Sequence, residues 1–337
     1  MVEILFWLIV FFLSLVLLIK GADWLIESSQ KIAQFFGISP FIIGVTIVAL
    51  GTSLPELASS ICAVFKEATE IVPANVIGSN IANILLIVGL ASVVTRSFLS
   101  VKRSLIDLDL PLLTAVTLLL GVVIFDGRIN FREAIFLLLT FLIYFLYTLY
   151  HRKEETSNCL PEEETGSSPL EKKETYFSKK ESKREKIEMP NLSVFLILIF
   201  GILFLGIGAE YLIRSTLKLA EIFKIPVSVI AIFGISVGTS LPELVVSVRS
   251  AGNKKYEIAL GNIFGSNVFN SLVVIGIPAL IRPLFVDEIT LKIGFPFMLI
   301  ATLMLVISGI TRRISVWEGA MFLILYFLFL AKLFHFC

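Results

Sequence analysis

The heptad "GTSLPEL" occupies Gly51–Leu57 and recurs at Gly238–Leu244. Each copy places a proline and a glutamate inside a stretch otherwise apolar enough to sit in lipid. An ionised carboxylate at mid-span costs about 2.5 to 3.5 kcal/mol on insertion scales, so something must compensate it twice. Proline has no N–H and crowds the carbonyl four residues back. A helix running through Gly51–Pro55 must therefore open, freeing carbonyl oxygens around Gly51 and Thr52, and again around Gly238 and Thr239. Within a bilayer such backbone is tolerated only where protein, water or an ion satisfies it. Freed carbonyls, the Glu56 and Glu243 carboxylates, and the hydroxyls of Thr52, Ser53, Thr239 and Ser240 are all hard oxygen ligands. The expectation is a desolvated cation.

Outward from the heptads, an offset of 187 residues aligns two halves of the chain. "GADWLIESSQKIAQFFGI" from Gly21 matches "GAEYLIRSTLKLAEIFKI" from Gly208, and "NVIGSNIANILLIVG" from Asn75 matches "NIFGSNVFNSLVVIG" from Asn262. After a two-residue slip Glu133 aligns with Glu318. Apolar stretches of bilayer-crossing length fall at 4–30, 37–62, 70–95, 106–125 and 131–150, then at 192–219, 226–249, 257–281, 289–309 and 317–335. The expected fold is an all-α polytopic membrane protein of ten transmembrane helices. Its domains are a first five-helix repeat at 1–150, a charged linker at 151–190 and a second five-helix repeat at 191–337. An odd number of spans per half forces the second repeat to enter the membrane upside down, the inverted layout of many secondary transporters.

Composition agrees. The 337 residues are 57% hydrophobic and 16% charged, with mean hydropathy +0.93, outside the range of soluble domains. A net charge of +1 gives no reason to expect nucleic acid, and nothing points to an obligate protein partner other than the lipid bilayer. Cys62, Cys159 and Cys337 lie too far apart for a zinc spacing. The first apolar run carries Glu3 in place of a basic leader and no small-x-small cleavage site, so it reads as a retained span. The 151–190 segment shows neither helical nor strand periodicity and reads as a solvated tether. With this linker cytoplasmic, the distribution of Lys and Arg supports external N- and C-termini.

A second motif, "GSNxxN", follows each heptad. Ser79 and Asn83, and likewise Ser266 and Asn270, are four apart and share one helical face. Folded about a pseudo-twofold axis, the halves would converge two carboxylates, several carbonyls and hydroxyls and two amide oxygens. Calcium accepts six to eight oxygens in a flexible cage, whereas magnesium demands octahedral geometry. The absence of thiolate and imidazole argues against zinc or copper. Two glutamates neutralise one Ca²⁺ or two Na⁺, which makes those ions competitors for one cage. Competition of that kind is the minimum requirement for antiport. Arg214, the one candidate mid-span base, lies in a different helix from either acid.

At these residues the chain resembles the sodium/calcium exchangers of the calcium/cation antiporter superfamily, prokaryotic type. The paired heptads, each followed by "GSNxxN", are similar to that family's alpha repeats. The resemblance implies a calcium site, shared with sodium, from Glu56, Glu243 and the carbonyls of Thr52 and Thr239. It implies sodium sites lined by Ser53, Ser79, Asn83, Ser240, Ser266, Asn270 and the backbone of Ala49 and Ser236. It also implies electrogenic exchange of several sodium ions for one calcium across the plasma membrane by alternating access. The first and sixth spans would form a sliding pair that gates entry. No cofactor is implied; the ions are cargo. Asn270 stands where potassium-dependent relatives carry aspartate, which disfavours potassium co-transport, and the short linker leaves no room for regulatory calcium-binding domains.

Three rivals were weighed. A proton/calcium antiporter shares the fold, but its repeats show a Gly-Asn-x-x-x-Glu pattern that "GTSLPE" does not match. An intramembrane hydrolase lacks a visible His-Glu-x-x-His or Ser/Lys dyad, since the two histidines are His151 and His335. A passive channel would carry calcium without a counter-ion.

Overall fold

The computed structural model describes residues 2–35, 49–95, 98–101, 109–158 and 191–335. The first half comprises α1 (Val2–Phe35), α2 (Ala49–Thr52), α3 (Leu54–Phe65), α4 (Ile71–Thr95), β1 (Phe98–Ser100), α5 (Leu110–Ile124), β2 (Arg128–Ile129) and α6 (Phe131–Asn158). The second comprises α7 (Leu192–Phe223), α8 (Val227–Thr239), α9 (Leu241–Gly252), α10 with its apolar stretch at Ile258–Ile281, β3 (Leu284–Phe285), α11 (Thr290–Ile310), β4 (Arg313–Ser315) and α12 (Val316–His335). Among the described residues seven helices are long and apolar enough to cross a membrane, or eight if α8 and α9, bent by 47°, count as one. The spans expected at 37–62 and 106–125 fall partly outside the described residues.

Two features amend the sequence reading. The fold is mostly helical rather than all-α, because β1 pairs antiparallel with β4 and β2 with β3. These ladders are two or three residues long and sit just beyond helix ends, where a backbone leaving a helix needs hydrogen-bond partners. In addition α6 continues to Asn158, so the first residues of the segment read as an aperiodic linker extend a helix. That extension begins with Arg152, Lys153, Glu154 and Glu155, good helix formers that need no apolar face. The remainder of the linker, 159–190, lies outside the described residues.

Burial separates the helices into two layers. The membrane-length windows of α4 and α10 are each 83% buried, against 22% for α1 and α7. Large apolar side chains of the outer helices, among them Phe6, Phe12, Phe136, Ile143, Leu203 and Ile324, are exposed. In water such a surface would drive aggregation; here it is the face that lipid covers. The inner pair, α4 and α10, carries the asparagines and serines, which the outer layer shields.

Contacts recur with the halves exchanged. A Cβ on Gly21 would meet the backbone of Gly201 and Leu205, and one on Gly208 would meet that of Ser14 and Leu18, so α1 and α7 cross backbone to backbone. Gly89 rests against Leu323 of α12, and Gly276 against Leu138 of α6. Arg128 stacks over Phe285 at 5.0 Å and Arg313 over Phe98 at 4.8 Å. Glu133 caps the backbone N–H of Asn130, and Glu318 that of Ser315, both at 2.7 Å. Glu67 and Lys254, which follow the site helices α3 and α9, both take positive φ, near 60°.

Candidate functional site

Both heptads break their helix at the serine. Ser53 has φ −91° and ψ 9°, Ser240 has φ −82° and ψ 8°, and each next helix starts with Leu-Pro-Glu. Because Pro55 and Pro242 lack an N–H, the ladder resumes only when Leu57 donates to the Ser53 carbonyl and Leu244 to that of Ser240. The break points both glutamates inward. Glu56 and Glu243 are fully buried.

The carboxylates are held crosswise. Ser53 Oγ donates to Glu243 Oε1 at 2.9 Å, and Ser240 Oγ donates to Glu56 Oε1 at 3.1 Å. Ser266 Oγ of α10 adds a donor to Glu243 at 3.3 Å. The other oxygen of each glutamate, Oε2, is buried without a hydrogen-bond partner. So are Ser79 Oγ, Asn83 Oδ1 and both amide atoms of Asn270. Buried polar atoms are nearly always paired, so unpaired oxygens from two carboxylates, two amides and a hydroxyl require an explanation, and a bound cation supplies one.

The remaining sequence-predicted residues are placed as follows. Thr52 Oγ1 donates to Asn262 Oδ1 at 3.3 Å, and Thr239 Oγ1 to the Ile235 carbonyl at 3.0 Å. Ser236 Oγ donates to the Ile232 carbonyl. All three are buried. Thr52 donates across to α10 and the other two within their own helix; each hydroxyl oxygen keeps a lone pair, so hydroxyls and carbonyls alike can be offered to an ion. Ala49 opens α2, directly before the first heptad. Gly78 lets α4 lie against α8, since a Cβ there would overlap the Ile232 carbonyl. Asn83 and Asn270 fall in π-helical turns, Ala82–Val88 and Asn270–Val274, widenings frequent at functional sites. Arg214 pairs with Glu210, away from both acids.

Sequence reasoning passed over the middle asparagine of each "GSNxxN". Asn80 Nδ2 donates to Ser271 Oγ at 2.8 Å, and Asn83 Nδ2 to Asn267 Oδ1 at 3.0 Å, tying α4 to α10. It also passed over Asn262, which joins Thr52 to Ser247. The signal was available, because Asn80 and Asn267, like Asn75 and Asn262, recur at the offset that relates the heptads.

Among the described residues no group of three His, Cys, Asp or Glu converges. The formal charge at the site is therefore two carboxylates inside a shell of neutral oxygens, within a layer of membrane-length helices. Such an arrangement defines a membrane cation-binding protein.

The comparisons narrow the class. The family model described as sodium/calcium exchanger protein matches residues 6–150 and 193–334. The sodium/calcium exchanger MaX1 of Methanosarcina acetivorans is 34% identical, over 97% of this chain and 98% of that one. The inner membrane protein YrbG of Escherichia coli is 32% identical, over 86% and 84%. A solved structure of the sodium-calcium exchanger NCX_Mj, soaked with Na⁺ and Sr²⁺, superposes with a TM-score of 0.62 at 29% identity, covering 97% of this chain and 99% of that one. The chain belongs to the sodium/calcium exchanger family; it is an ion transporter and not an enzyme.

Proposed function

We propose that this protein exchanges Na⁺ for Ca²⁺ across the plasma membrane by alternating access. Its ten spans form two inverted five-helix repeats, 1–150 and 191–337, joined by a cytoplasmic linker at 151–190 with both termini outside. The observation that carries the reading is the crosswise pair, Ser53 on Glu243 and Ser240 on Glu56. It makes one site out of two heptads, and an ion held there is shared by both halves. Calcium is held by Glu56, Glu243 and the carbonyls of Thr52 and Thr239. Sodium uses the same carboxylates with Ser53, Ser79, Asn83, Ser240, Ser266 and Asn270 and the backbone of Ala49 and Ser236.

Two carboxylates balance one Ca²⁺, so three Na⁺ would carry one uncompensated charge, on which the membrane potential acts with about 2.3 kcal/mol per 100 mV. The cycle is electrogenic and, with a neutral Asn270, independent of potassium. The test is calcium uptake into proteoliposomes loaded with sodium, with potassium and pH varied. Uptake that needs internal sodium, grows with an inside-positive potential and ignores potassium is expected. Uptake driven by protons without sodium would instead establish proton/calcium exchange on the same fold.

A further inference from the structure

The correspondence between the halves fails where α7 meets α3. On α7, one carboxylate oxygen of Glu210 accepts from Lys66 Nζ at 2.6 Å and from Arg214 Nε at 2.6 Å, and Cys62 Sγ donates to the other at 3.3 Å. Cys62 and Lys66 lie at the end of α3, the helix that begins beside Glu56, and α7 packs along it. A second ion pair, Arg282 to Glu67 at 2.8 Å, fastens the same turn to the end of α10.

The offset of 187 maps Glu210 to Asp23, Arg214 to Glu27, Cys62 to Arg249 and Lys66 to Asn253. At those positions the packing is different. Among the described residues α1 makes no contact with α9 comparable to that of α7 with α3. Asp23 and Glu27 are paired inside α1, with Lys20 at 3.6 Å and Lys31 at 2.7 Å, and Arg249 of α9 is exposed, with no ion pair among the described residues. The residue types are nevertheless complementary, with the acid Asp23 on the outer helix and the base Arg249 on the site helix.

We infer that the outer pair α1 and α7 carries two latches made in turn. In this state Glu210 is fastened to Lys66 and holds α7 against the end of α3. In the alternate state Asp23 takes the position toward Arg249 that Glu210 here holds toward Cys62, and holds α1 against the end of α9. The close crossing at Gly21 and Gly208 makes α1 and α7 move together, so drawing α1 onto α9 takes α7 off α3. The inference rests on the alternating-access reading of the repeats. Each latch biases a population and is no barrier by itself, since a half-exposed ion pair has only a modest differential effect on two states.

Cys62 reports the state, because α7 covers it when the Glu210 latch is made. The experiment uses the full chain in liposomes with Cys159→Ser and Cys337→Ser, leaving Cys62 as the one thiol, and follows its alkylation by N-ethylmaleimide. Lys66→Gln is expected to speed alkylation about threefold by releasing the latch seen here. Electrostatics alone would slow it, since the Glu210 carboxylate left beside the thiol disfavours the thiolate. Arg249→Gln is expected to slow alkylation about threefold by weakening the alternate latch. Glu67→Gln, which breaks the pair with Arg282 and leaves α7 untouched, should change nothing. An unchanged or slower Lys66→Gln, an unchanged or faster Arg249→Gln, or an equal acceleration in Glu67→Gln overturns the inference. Should Lys66→Gln fail to assemble, the sign of the Arg249→Gln effect decides. Calcium flux in the same vesicles is read separately. Its absence from the protein without latch substitutions counts against the exchange reading, whereas thiol kinetics judge the latches.

Discussion

Ser53 donates its hydroxyl to Glu243 at 2.9 Å across a sequence separation of 190 residues, and the pseudo-equivalent Ser240 donates to Glu56. Each acid thus takes a hydrogen bond from the opposite half, and Ser266 adds a donor to Glu243 from its own half. The serine that breaks each helix is the group that aims the other half's carboxylate, so the site exists only when both halves are packed together. Any rearrangement that moves one heptad is felt by the ligand of the other.

Substitution of either acid tests the charge balance. Glu56→Gln and Glu243→Gln keep the shape and an acceptor for the serine, and remove one of two fixed charges. Leaving a divalent ion half compensated in a buried site carries a penalty of about 3 to 5 kcal/mol. Sodium-dependent calcium uptake should fall at least about a hundredfold in each variant while the protein still purifies as a folded species. Radiolabelled calcium flux checks this, and near-normal flux would remove these residues from the ligand set.

The aiming serines should matter less than the acids they hold. A hydrogen bond to a charged group is worth about 1.5 to 3 kcal/mol, so Ser53→Ala and Ser240→Ala should each weaken apparent calcium affinity about ten- to a hundredfold and leave some transport. Because the two bonds support one ion, the double variant should depart from the sum of the single effects. Calcium titration of exchange in the two single variants and the double variant completes the cycle.

Much of this site could be read from residue types alone. Proline and glutamate in an apolar run announce a broken helix with an expensive charge, and repetition shows that the expense has a purpose. Which partner holds which acid could not be read, because the crosswise bonds depend on how two distant segments pack. The same limit hid Asn80 and Asn267, whose amides bond across to the opposite helix, Asn80 to Ser271 and Asn267 to Asn83. The short strand ladders escaped notice because two or three residues leave no periodicity. The helical start of the linker escaped because residues 151–158 carry no apolar stripe to reveal a helix.

Asn270 is the point at which the ion preference should be adjustable. It is fully buried, lies at the start of a π-helical turn, and neither of its amide atoms has a hydrogen-bond partner. Asn270→Asp adds a third negative charge to the two carboxylates with almost no change in volume. The expected outcome is a shift in cation preference, with either potassium sensitivity or altered sodium dependence, seen when calcium uptake is measured against sodium and potassium gradients separately. An ion profile identical to that of the unsubstituted protein would place the side chain outside the site.

Two glycines on one face-to-lipid helix separate crossing from propensity. A Cβ at position 208 would stand 2.8 Å from the Leu18 backbone nitrogen and 2.9 Å from the Ser14 carbonyl oxygen, atoms that cannot yield without moving α1, whereas one at position 206 would meet nothing within 4 Å. Gly208→Ala should therefore push the two helices apart at a cost of about 1 to 3 kcal/mol. In Gly206→Ala only the gain in helix propensity remains, which is stabilising by up to about 1 kcal/mol. Thermal unfolding in detergent is expected to show a lower midpoint for Gly208→Ala and an equal or higher one for Gly206→Ala. Exchange rates should follow the same order under the proposal that α1 and α7 travel together on this crossing. Equal behaviour of the two variants would mean that the close approach at Gly208 is not what couples these helices.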